Sequence, residues 1–135
     1  MCLDERGYTL SRRSRNLSCR EPNKVLKPLP TRVETVLEYS MIFLNVLLLV
    51  KDPSHVAEVR EHLSKAMRLS RREPGCLRFD VYHSHQELRR FVLIEHWASQ
   101  EALDAHRLAE AYTTIYKTHV MPLIEREGHP ATLLE

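Results

Sequence analysis

Residues 41–135 read as an α+β fold in the order β-α-β-β-α-β, an antiparallel sheet with its helices on one face. Three observations predict it. The apolar run Met41–Val50, interrupted only by Asn45, has the length of one strand. Two alternating segments, Cys76–His83 and Phe91–Trp97, flank a short polar turn. Helical periodicity fills the stretch before this pair and the stretch after it.

The elements follow in order. Met41–Val50 is apolar on both faces, so both faces should be covered. Asp52-Pro53 starts a helix, since Asp caps and Pro suits the first helical position. Val56, Val59, Leu63, Ala66, Met67 and Ser70 mark its inward face, and Pro74-Gly75 stops it. In Cys76–His83, strict alternation puts Leu77, Phe79, Val81 and His83 on one side and Cys76, Arg78, Asp80 and Tyr82 on the other. After the turn Ser84–Arg89, Phe91, Leu93, Glu95 and Trp97 share one face; Val92, Ile94 and His96 share the opposite one. Ser99 caps a short helix carrying Ala102, Leu103 and His106. A second helix is expected over about Ala109–Arg126, kinked at Pro122 and ended by Gly128, with a last strand at Ala131–Leu134. This is the ferredoxin-like order, with its second helix split in two. The sheet face away from the helices keeps apolar residues such as Val92 and Ile94, which predicts association, most simply as a two-fold homodimer.

Residues 1–40 differ from the rest. Arg12, Arg13 and Arg15 lie among serines, three prolines follow, and only Val33–Tyr39 suggests a short helix or strand. The expectation is a flexible extension ahead of a domain at 41–135, with Met41 a candidate start. The extension holds eight Lys/Arg against five Asp/Glu, and residues 41–135 hold twelve against thirteen. The domain is therefore no basic platform for nucleic acid. No apolar run approaches the roughly 20 residues of a membrane span. Cys2, Cys19 and Cys76 have neither metal-ligand spacing nor an even count, which suits a reducing, cytoplasmic setting. Cys76 reads as a small buried hydrophobe rather than a nucleophile. His83 and His85 lack further ligands to complete a metal site, so no metal is expected.

EPGCLRFDVY from Glu73, RFVLIEHWASQEALDAH ending at His106, and the element order together resemble the antibiotic biosynthesis monooxygenase (ABM) domain proteins. The most specific part is E-x-W-x-S-x-E-A-L-x-x-H, Glu95 to His106, and the resemblance covers about Met41–Glu135. It implies a dimeric α+β barrel with a cavity between sheet and helices in each subunit. It implies oxidation of a quinol-like, phenolic or polyketide-type small molecule by O₂, with no metal or flavin. A related branch binds and degrades haem, and many members have no known substrate, so the resemblance indicates fold more strongly than reaction.

Each candidate residue has a structural and a chemical reading. Trp97, the only tryptophan, either packs a strand end or walls the cavity against a planar substrate. Glu95 is either a carboxylate tied to structural donors or a base raised by burial. His106 either packs on its helix or takes a phenolic proton. Asn45 either satisfies a bulge or barrel mouth, or points into the cavity and donates to an oxyanion. Tyr112 and Tyr116 belong to a helical stripe that is core, or that offers hydroxyls to a phenolic ligand. The expected assignment has His106 and Glu95 catalytic, and Trp97, Asn45, Tyr112 and Tyr116 binding substrate. The alternatives are a non-catalytic ligand-binding or dimerisation module and, through the Asn45, Trp97 and His106 types, haem.

Overall fold

The computed structural model describes residues 40–135, so the expected extension, with Val33–Tyr39, lies outside the described residues but for Ser40. Strand β1 spans Ile42–Val50. Asp52 accepts from the Ser54 N–H at 2.9 Å and opens a 3-10 turn, Pro53–His55, that runs into helix α1, Val56–Ser70. Strands β2, Cys76–His83, and β3, Arg90–Trp97, form a hairpin whose turn is held by Ser84 Oγ accepting from two backbone N–H groups. The Ser99 hydroxyl accepts from the Ala102 N–H at 3.2 Å and caps helix α2, Gln100–His106. A π-helix, Ala111–Val120, and a 3-10 turn, Met121–Leu123, lead to strand β4, Ile124–Ala131.

The sheet is antiparallel in the order β2-β3-β1-β4, and α1 and the π-helix pack together over one face. Leu44, Val46, Leu48 and Val50 of β1 and Phe91, Leu93 and Trp97 of β3 point into that core. The opposite face carries Phe43, Leu47, Leu49, Val92 and Ile94, all partly exposed in the single chain. No helix among the described residues is long and apolar enough to cross a membrane.

Two segments depart from the sequence expectation. The helix expected to reach Arg126 ends at Val120, and the final strand is Ile124–Ala131 rather than Ala131–Leu134. Pro122 has no N–H to give and obstructs a continuing helix, so it stops the helix instead of kinking it. The chain beyond it satisfies the free edge of β1, pairing from Val50↔Ile124 to Phe43↔Ala131. Gly128, expected to end the helix, lies inside this strand opposite Val46. The second departure is a register shift in β2 between Cys76 and Arg78. It leaves Leu77 exposed while Phe79 is buried, although strict alternation had put the two on one side, and it packs Cys76 against the core beside Trp97's strand position.

Candidate functional site

Glu73 and His106 lie 33 positions apart, and the turn after α1 brings them together. Gly75 adopts φ +80°, a region that L side chains rarely enter. A Cβ there would stand 2.5 Å from the Ala102 Cβ, so only glycine lets α2 sit this close to the turn. The Ala98 N–H donates to the Gly75 carbonyl at 2.8 Å and closes the junction. His106, one helical turn beyond Ala102, then meets Glu73, with 2.7 Å between its Nδ1 and Glu73 Oε2. Both side chains are largely shielded, His106 at 6% exposure and Glu73 at 15%. A carboxylate only accepts, so Nδ1 carries the hydrogen, and in the neutral ring the lone pair is on Nε2. That is the tautomer a proton acceptor needs.

His106 sits in a chain of rings. Trp97 lies 4.6 Å from it and Tyr112 5.6 Å, and Tyr112 lies 5.5 Å from Tyr116. On the sheet side, Glu95 is buried, and one of its oxygens accepts from the Trp97 indole N–H at 3.1 Å. Burial holds the Glu95 carboxyl above its ordinary value, against the opposing pull of the Trp97 hydrogen bond and of His106, Arg126 and Arg107.

Glu95, His106, Tyr112 and Tyr116 wall one cavity of about 30 Å³ between the sheet, α1 and the π-helix. Its polar walls are Ser70, Glu95, His106, Arg107, Tyr112, Tyr116 and Arg126. The volume suits a water rather than an aromatic ring, so a ring enters only if the walls separate. Two hydroxyls in the walls, Ser70 Oγ and Tyr116 OH, are buried without a partner at full hydrogen-bond geometry, and Tyr116 has only a loose contact with Arg126. Burial pushes the Tyr116 hydroxyl up to about 12. Among the described residues, no group of three or more His, Cys, Asp or Glu is placed to hold a metal ion.

Of the six residues singled out in the sequence, Glu95, His106, Tyr112 and Tyr116 line the cavity. Trp97 lies one layer behind, fully buried, its N–H already engaged by Glu95. Asn45 is on the other side of the sheet, opposite Ile94 and His129, and does not reach the cavity. When both faces of a strand are apolar, parity groups its residues without saying which group is inside. Here Leu44, Val46, Leu48 and Val50 take the inner face. Sequence reasoning missed Glu73, Ser70, Arg107 and Arg126. Ser70 showed in the inward periodicity of α1; Glu73 had no signal beyond opening the Pro-Gly turn. Cys76 fits its expected packing role, because burial, with Glu73 and Glu95 nearby, pushes its thiol up to about 11.

Comparison with known proteins agrees with this architecture. No curated protein matches the chain by sequence. A conserved protein of unknown function from Bacteroides thetaiotaomicron superposes with a TM-score of 0.64 at 26% identity, over 69% of this chain and 97% of that one. A candidate antibiotic biosynthesis monooxygenase of Nitrosomonas europaea gives 0.62 at 24% identity, over 72% and 93%. SnoaB of Streptomyces nogalater, described as a cofactor-independent oxygenase, gives 0.61 at 16% identity, over 70% and 94%, a likeness of fold alone. The model of the antibiotic biosynthesis monooxygenase family matches residues 41–118, more than half of the chain and the part that holds β1 to β3, Glu73, Glu95 and His106. By that match the chain belongs to the antibiotic biosynthesis monooxygenase family.

Proposed function

We propose that the protein is a cofactor-independent monooxygenase acting on a quinol-like or other phenolic small molecule. The observation that carries this reading is His106 on the cavity wall, held from behind by the shielded carboxylate of Glu73. His106 Nε2 takes the phenolic proton, and Glu73 holds the ring in the accepting tautomer and stabilises the imidazolium. The electron-rich ring carbon then adds O₂. One oxygen atom stays on that carbon as a carbonyl, the other leaves as water with the two hydrogens the substrate gives up, and no external reductant is needed. Glu95, raised by burial, hydrogen-bonds the reacting oxygen or shares the proton. Trp97 sets the orientation of both His106 and Glu95 from behind. SnoaB, of the same fold, is described as an oxygenase of this cofactor-free kind, which supports the reading.

The remaining parts of the proposal follow from the exposed sheet face and the thiol. A homodimer would pair the partly exposed apolar face of the sheet with its copy. A cytoplasmic setting suits the free thiol of Cys76. Haem has less support, because Asn45 is separated by the sheet from Trp97 and His106. Oxygen uptake with a panel of reduced quinols tests the enzyme. His106→Ala should lower turnover by roughly 10²–10⁴-fold. Glu73→Gln should lower it by about tenfold or more, with Glu73→Asp recovering part of the loss. An absence of uptake across the panel would leave the binding module as the better account.

A further inference from the structure

Tyr116 is one of the groups in the cavity wall that the proposed chemistry does not use. Its side chain is 6% exposed, and its hydroxyl meets no partner at full hydrogen-bond geometry, with only a loose contact to the Arg126 guanidinium. A buried hydroxyl without a partner costs roughly 1–3 kcal/mol, so its presence in the wall needs a reason. Ring contacts place it away from the base: His106 touches Tyr112, and Tyr112 touches Tyr116. Arg126, an exposed residue whose side chain leaves β4 on the core side, lines the mouth of the same cavity, bonds the Tyr116 hydroxyl loosely and acts electrostatically on both Tyr116 and Glu95. A neutral hydroxyl donor beside a permanent cation is a receptor for an electron-rich oxygen. The second buried hydroxyl, Ser70 Oγ, belongs to the other end, since the Ser70 carbonyl accepts from the Glu73 N–H at 3.1 Å.

We infer that Tyr116 and Arg126 form a specificity subsite for a second oxygen of the substrate, a carbonyl or oxyanion remote from the hydroxyl that His106 deprotonates. The inference rests on the phenolic reading of the cavity and adds to it. The site should select phenols that carry an acceptor oxygen across the ring system over phenols that lack one.

A matched pair of probes tests this by calorimetry under nitrogen on the full chain. One is a hydroxytetralone, with its phenol para to the carbonyl-bearing ring carbon; the other is the hydroxytetralin with CH₂ in place of that carbonyl. Wild type should bind the ketone about tenfold more tightly, the effect of one hydrogen bond. Tyr116→Phe and Arg126→Gln should each cut the preference to about threefold or less through weaker ketone binding, with hydroxytetralin affinity held within about twofold. Tyr116→Phe should melt close to wild type, since the hydroxyl gives up only its loose contact with Arg126. Equal binding of the two probes by wild type overturns the subsite and leaves the phenolic cavity standing. A preference that survives in both variants also overturns it, by showing that the carbonyl acts through phenol acidity. Equal binding with a lowered melting point for Tyr116→Phe assigns the hydroxyl to a structural water and overturns it. If neither probe binds, the phenolic reading itself falls and the subsite falls with it.

Discussion

Glu95 combines two opposed demands on one side chain. It is 5% exposed, where a charge is costly, yet it accepts the Trp97 N–H and lies near His106, Arg107 and Arg126. Burial wins, and the native carboxyl holds its proton above the usual 4.5. The native state therefore binds this proton more tightly than the unfolded chain does. Stability from this group is present below the unfolded value and is lost as pH rises toward the native one. Glu95→Gln keeps an oxygen for Trp97 and removes the titration. Chemical denaturation should show the variant gaining on wild type as pH rises above the ordinary carboxyl value; parallel curves would rule the effect out. In the sequence, parity alone put Glu95 and Trp97 on one face. Their mutual hydrogen bond needed the side-chain geometry, and so did the pairing of His106 with Glu73 rather than with Glu95.

The junction between α1 and α2 is the element on which the site depends. Gly75 provides both a left-handed turn and the missing Cβ that Ala102 would meet. Gly75→Ala should cost about 2 kcal/mol or more, because the added methyl faces strain and a clash together. It should also lower activity more than that loss of stability explains, since α2 carries His106 away from Glu73. Urea unfolding and oxygen uptake on the folded fraction separate the two effects. Strand and helix starts were readable here because Asp52, Ser84 and Ser99 cap or turn the chain locally. The last helix was not. Its helical stripe runs into Ile124, whose neighbours obey strand pairing with β1, and a non-local partner overrode a local period.

The whole molecule is defined by two unequal faces of one sheet. The inner face is closed by α1 and the π-helix; the outer face presents Phe43, Leu47, Leu49, Val92 and Ile94. A dimer formed on that face should be broken by a charge at its middle. Ile94→Lys lies opposite Asn45 and Asp80, away from the cavity, and should yield a folded monomer of about half the sedimenting mass at micromolar concentration. A wild type that already sediments as a monomer would end the dimer proposal. The inner layer holds the cavity of about 30 Å³, and the π-helix supplies the part of its wall that carries Tyr112 and Tyr116.

The order of elements, the family and the sharing of a face by Glu95 and Trp97 were legible in the chain, because caps, turn residues and alternation act over a few positions. The partner of His106, the inner face of β1, the extruded Leu77 and the final strand were not. Each depends on contacts between residues far apart in sequence, and such contacts are set by which apolar face the helices cover. That choice moved Asn45 out of the site, brought Glu73 up behind His106, and left the Tyr116 hydroxyl buried beside Arg126.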